Sequence, residues 1–130
     1  MPAVKVLIRH SGPLPDGEAR GIIKRAMSET KRAMGEELVR QVQLRLDSVL
    51  VNPTGYYRSQ VDYGINQGNG AVIVHDRGVI YGPWLEGDSR RNAETRFKGY
   101  HTFRHVTQSV QGDVDRVGAT QTRVMVSQLS

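Results

Sequence analysis

Apolar residues at Ile23, Met27, Met34, Leu38, Val42, Leu46 and Val49 recur at intervals of three, four and seven along a stretch that is otherwise polar. That spacing follows the turn of an α-helix, so it predicts one long amphipathic helix of about eight turns. Asp16 stands where an N-cap belongs, and Pro53, which fixes φ and has no donor, stops any continuation. Lys24, Arg25, Lys31, Arg32, Glu36 and Arg40 take the opposite side and read as a solvated face. Upstream, Ala3 to Arg9 is short and β-branched and runs into HSGPLPDG, the pattern of one strand followed by a loop.

The period then changes. Tyr57, Ser59, Val61 and Tyr63 alternate with Arg58, Gln60 and Asp62, Ala71 to His75 is a second β-prone run, and NQGNG between them supplies residues that tolerate positive φ. Together they predict a hairpin. The glycines of NQGNG could also be read as a phosphate cradle, but no lysine and Ser/Thr follow to open a helix. DSRRNAETRFKG, residues 88–99, is polar and basic and reads as a loop. Phe103, Val106, Val110, Val114, Val117 and Val124 return to helical spacing and predict a last helix from about Gly99. Gly112 and Gly118 weaken it, and TRVMVSQL, residues 122–129, fits either its continuation or a closing strand. The expected fold is α+β: a long N-terminal amphipathic helix and a C-terminal helix packed on a small antiparallel β-sheet.

Composition narrows this picture. The chain of 130 residues has the size of one ordinary domain, residues 1–130. No window approaches the ~20 apolar residues of a bilayer-crossing helix, and the apolar run near the N-terminus is too short for a secretory signal. There is no cysteine, which excludes disulfides and thiolate metal sites and fits a reducing cytoplasm. The net charge of +5 favours acidic partners such as nucleic acid or an acidic protein face.

Candidate chemistry is sparse. His101 and His105 are spaced i, i+4, which on a helix would turn both rings one way, but zinc needs a third ligand, and HExxH is absent. The pair reads better as exposed and partly cationic beside Arg104. No nucleophile elbow or triad order stands out, and Asp62, Asp76, Glu86 and Asp88 are scattered in turn-rich sequence. The expectation is a protein that is not an enzyme and has no cofactor or metal. From Arg90 to His105 the chain is different. Arg90, Arg91, Arg96, Lys98 and Arg104 stand against the single acid Glu94, with Phe97, Tyr100 and Phe103 interleaved. Such a mixture suits phosphate contacts with base stacking, and equally a protein interface.

One more stretch remains, YGPWLEG at Tyr81 to Gly87, which holds the only tryptophan. Pro83 suits the first turn of a short helix. Trp84 brings a large apolar area, fit either to cap the core or to anchor an interface, whereas Glu86 reads as exposed. PTGYYRS at Pro53 to Ser59, then YGPWLEG, then RFKGYHTFRHV resemble, in order and spacing, the small head–tail joining or tail-completion proteins of long-tailed bacteriophages. Thr54, Gly55, Arg58 and Ser59 match the first family segment, Tyr81, Gly82, Pro83, Leu85 and Glu86 the second, and Arg96 and Phe97 the entry to the last helix. The chain departs from the family's pattern after Glu86, where it goes straight to Gly87-Asp88, and at Lys98-Gly99, where a second proline is common. The resemblance implies a structural virion protein of the neck or upper tail, made in the cytoplasm of the bacterial host. It would form a homo-oligomeric ring, a hexamer matching a sixfold tail tube, between the head connector or stopper and the tail tube protein, and genomic DNA would pass without sequence specificity. Its assembly interface would include Tyr81, Pro83, Trp84, Glu86, Asp88, Arg90, Arg91, Arg96 and Lys98. In the alternative reading the chain is a small basic nucleic-acid-binding module that uses Arg90–Arg104.

Overall fold

The computed structural model describes residues 2–10, 13–50, 54–117 and 122–129; for Arg9, His10 and everything after Gly112 it describes the backbone alone. In chain order the elements are β1 (Ala3–His10), α1 (Gly17–Val49), α2 (Tyr56–Gln60), β2 (Asp62–Ile65), β3 (Val72–His75), α3 (Gly82–Glu86), α4 (Arg90–Glu94), α5 (Thr102–Val117) and β4 (Thr122–Leu129). The fold is α+β, as the periodicities predict.

The four strands form one antiparallel sheet in the order β2-β3-β1-β4. β1 is central because alternation gives it a face that must be covered: Val4, Val6 and Ile8 are buried, while Lys5 and Leu7 between them are only partly so. Ala3 to Val6 pair with His75 to Val72, and the whole of β1 pairs with β4, Ala3 opposite Leu129 and His10 opposite Thr122. The segment TRVMVSQL is therefore a strand rather than more helix. Val124 belongs to it and not to α5, which ends at Val117. Val72 and Val74 of β3 join Val4, Val6 and Ile8 in the core, where Leu38, Val42 and Leu46 of α1 and Phe103, Val106 and Val110 of α5 meet them.

α1 follows its predicted stripe only in its second half. Leu38, Val42 and Leu46 are buried and Met34 packs beside them, but Ile23 and Met27 are half-buried outside the core and Ile22 is exposed. Asp16 holds the N-cap position with extended backbone but makes no side-chain capping bond; Arg20, one turn on, lies 4.0 Å away. Pro53, expected to stop the helix, lies outside the described residues. No helix among them is long and apolar enough to cross a membrane.

The expected hairpin exists but starts later. β2 and β3 are antiparallel, Asp62 opposite His75, and the turn is held by Asn66, whose Oδ1 accepts the N–H of Gly68 and Asn69 at 2.8 and 3.1 Å. Residues 56–60 are not strand. Gly55 adopts a left-handed conformation, φ 87°, and opens the short helix α2. Tyr57 and Val61 are also spaced i, i+4, so a single helical turn points both into the core, where they are 5% and 4% exposed.

Candidate functional site

The YGPWLEG stretch and the segments around it build one corner of the molecule, and two buried carboxylates hold it. Asp76 follows directly on β3 and is fully buried. Its Oδ2 accepts the Tyr57 hydroxyl at 2.8 Å and its Oδ1 accepts the Gly78 N–H at 2.9 Å. A buried carboxylate is costly unless donors meet it, and here a phenol and a backbone amide do. Burial first, and the bond to Asp76 second, push the Tyr57 phenol well above its ordinary range, so it stays protonated and acts as a donor. Gly82 lies over the same carboxylate: a Cβ there would collide with Asp76 Oδ2. The ring of Tyr81 tilts on that of Tyr57, centroids 5.7 Å apart. Pro83 occupies the first turn of α3, where its missing N–H costs nothing.

Glu86 corrects the expectation from sequence. The residue read as an exposed interface acid is 2% exposed. Its two carboxylate oxygens accept the N–H groups of Phe103 and Arg104 at 2.9 and 3.0 Å. Those are first-turn donors of α5 that no helical carbonyl can satisfy, and the positive end of the helix dipole favours the negative charge. Glu86 is thus a helix cap delivered from 17 residues upstream. The backbone repeats the link: Tyr100 N donates to Leu85 O at 2.7 Å and His101 N to Glu86 O at 3.1 Å. For the two stretches to lie so close, Gly87 (φ 105°) and Gly99 (φ 95°) pass each other without side chains; a Cβ on either would strike the other's backbone or its neighbours. The Gly99 that departs from the family pattern is a steric requirement of this crossing.

The segment 88–99, expected to be a loop with little local structure, is held at several points. Ser89 and Asn92 form a capping box that opens α4: Ser89 Oγ accepts the Arg91 N–H at 3.3 Å, and Asn92 Oδ1 accepts the Ser89 N–H at 2.9 Å. The Asn92 amide also donates to the carbonyls of Trp84 and Phe97, each at 3.1 Å, so one buried side chain ties α3, α4 and the following strand-like stretch together. Lys98 Nζ closes the other end of α4 by donating to Asn92 O at 2.9 Å. The signal for this was present in the S-x-x-N spacing of Ser89 and Asn92, with asparagine where a capping box more often has Glu or Gln.

Around this frame the remaining predicted site residues take different places. Trp84 is neither core nor free: half-buried, it packs on Phe97 with ring centroids 4.9 Å apart, and Phe97 meets Tyr100 at 5.0 Å. The Arg91 guanidinium lies over the Trp84 ring, 5.0 Å from its centroid. Asp88 is half-buried and faces Arg104 at 3.5 Å, which corrects its reading as an open partner for a neighbour's cations. Arg90, Arg91 and Arg96 are exposed, and among the described residues Arg90 and Arg96 have no ion-pair partner. The histidines do not form the exposed helical pair expected: His101 is half-buried ahead of α5 with φ 51°, its Nδ1 enclosed without a hydrogen bond, while His105 lies on the helix. No group of three or more His, Asp or Glu among the described residues is placed to hold a metal. The arrangement can present a fixed set of cations. Its two buried carboxylates are engaged with backbone amides and a phenol, which leaves them poorly suited to acid–base chemistry. No protein-family model, curated protein or solved structure matches the chain.

Proposed function

We propose that the chain is a non-enzymatic structural protein of a bacteriophage neck or upper tail, forming a ring that completes the tail and joins it to the head connector. The observation that carries the reading is the corner itself. The residues that resemble the head–tail joining family, Gly82, Pro83, Glu86 and Phe97 among them, are those that lock α3 and α4 against the start of α5, and the locked frame displays Arg90, Arg91 and Arg96 to solvent. A preformed display loses less conformational entropy on docking than a loose loop does, which suits an assembly contact made once and kept. Assembly then works by docking of finished surfaces, not by the ordering of a loop between neighbours. In this reading copies close into a ring, sixfold like the tube, the arginines meet acidic side chains of the adjoining ring, and the excess positive charge tolerates passing DNA.

The nucleic-acid-binding alternative keeps the same cations for phosphate contacts, but its base-stacking aromatics are packed on one another and, for Trp84, under Arg91. Reversal of Arg90, Arg91 and Arg96 to Glu separates the two. The variant is expected to fold, because exposed charges contribute little and a glutamate in the first turn of α4 suits the helix dipole. In an infected-cell lysate it should leave heads and tails unjoined. Full infectious particles would refute the assembly role, and normal joining with lost DNA affinity would favour the alternative.

A further inference from the structure

Ile80 is 97% exposed, the most exposed large apolar side chain described, and it does not hang on a loose loop. The turn that carries it is fixed from beneath: Asp76 accepts the Gly78 N–H, Gly82 N donates to Val79 O at 2.9 Å, and Tyr81 packs on the buried Tyr57. Tyr56 and Tyr81, 54% and 43% exposed, flank Ile80 around a shallow groove of about 330 Å³, so half of the six exposed large hydrophobic residues gather at this one place. An exposed apolar cluster on a rigid mount is the usual form of an interface anchor. The charge beside it is already neutralised, since Arg77 lies 2.7 Å from Asp62.

A matching receptor lies on other elements of the same chain. α1 and α5 leave between them a groove of about 270 Å³, lined by Gln41, Leu44, Arg45, His105, Val106 and Ser109. Leu44 is half exposed there. Arg45 Nε is buried at this groove without a hydrogen-bond partner, a donor that needs an acceptor from outside. A protruding turn offers what the groove lacks, an apolar side chain for Leu44 and Val106 and backbone carbonyls for Arg45. Anchor and receptor share no residue, so every copy can use both at once. That is the condition for a heterologous contact, which closes into a ring when the rotation allows.

We propose that the Ile80 turn of one copy seats in the α1–α5 groove of a second copy. The inference rests on the ring reading above and names the contact between neighbours within the ring. Because the chain has no cysteine of its own, single cysteines report on it cleanly. Ile80→Cys and Leu44→Cys variants are mixed and oxidised, beside each variant alone and beside Ile80→Cys mixed with Thr30→Cys. Both sites are exposed, so thermal melting should match the parent chain. The Ile80→Cys and Leu44→Cys mixture should give covalent dimer at least ~10-fold above every control, because only neighbours held together reach that effective concentration. An Ile80→Asp variant should fold normally and self-associate at least ~10-fold more weakly. Cross-linking of Ile80→Cys with itself would overturn the proposal in favour of a twofold pair. Absence of the mixed dimer would overturn it as well, and the solution mass of the parent chain then separates the cases: a multimer leaves the ring standing on another contact, and a monomer removes the ring reading too.

Discussion

Gly21 and Gly35 sit in the same helix, two turns or more from either end, and have opposite meanings. Around Gly21 there is open space, and nothing lies where a Cβ would go. At Gly35 the aromatic ring of Tyr63 occupies that position, and the glycine is buried. The contrast holds for the whole of α1. From Gly17 to Thr30 every residue but Ile23 and Met27 is exposed, whereas beyond Gly35 the buried positions Leu38, Val42 and Leu46 follow the helical repeat without a gap. One apolar stripe therefore serves two purposes. Its second half pins the helix to β2, β3 and α5, and its first half carries apolar and basic side chains into solvent. A hydrophobic repeat reports that a face is available for burial; what buries it depends on what the fold brings alongside.

The largest test of this difference is a pair of truncations. Leu38→Ala should destabilise the chain by about 2–5 kcal/mol, as removal of a buried leucine does, while Met27→Ala, outside the core, should cost under about 1 kcal/mol. Denaturant unfolding checks both, and similar losses at the two sites would mean that the halves of α1 are equally engaged. Next in size, Gly35→Ala should destabilise by about 1–3 kcal/mol, although alanine is the better helix former, because the new methyl group displaces the Tyr63 ring. In a Tyr63→Ala background the penalty should vanish, a coupling that a double-mutant cycle measures directly. Gly21→Ala should act in the other direction and stabilise by about 0.5–1 kcal/mol, since its helical propensity gain meets no neighbour. A destabilising Gly21→Ala would show that something packs on the first half of α1 in the isolated chain.

The same reasoning explains which parts of the molecule could be read from its sequence. The long helix, the central strand, the NQGNG turn and the core positions Phe103, Val106 and Val110 were legible because their burial is written in a local period. Tyr57 to Val61 was misread because five residues are too few to separate a period of two from an i, i+4 pair. At the candidate site the exposed cations Arg90, Arg91 and Arg96 were legible as charge, and the first-turn role of Pro83 as backbone chemistry. The burial of Glu86 and Asp76 was not. Their partners, the Phe103 and Arg104 amides and the Tyr57 hydroxyl, lie 17 to 19 residues away, and no local pattern encodes that approach. The glycines Gly82, Gly87 and Gly99 were the available hint, since each marks a place where two pieces of chain pass too close for a side chain.

The smallest effect belongs to the well-anchored half of α1 but to its solvent side, and so tests whether burial or position along the helix sets the energetics. Glu37 lies one residue before the buried Leu38 and bonds Arg40 through both carboxylate oxygens, at 2.9 and 2.6 Å. The hydrogen bonds from Arg40, then the one from Gln41, hold its carboxyl down from the ordinary 4.5 to about 2. The sign follows from the depressed value. Any stability the pair contributes is fully present above the ordinary carboxylate range and is lost as pH falls from about 4.5 through about 2. The amount is small because both side chains are about half exposed and water screens them, so an i, i+3 pair of this kind contributes about 0.3–0.5 kcal/mol. Glu37→Gln should therefore shift the denaturation midpoint only slightly at pH 7, and parent and variant should converge near pH 2. The difference should also shrink in 1 M salt, where the screening length falls to about 3 Å. A loss at pH 7 comparable to that of Leu38→Ala would mean that the charged side of α1 faces a partner, and that the division between an anchored and a solvated surface is drawn in the wrong place.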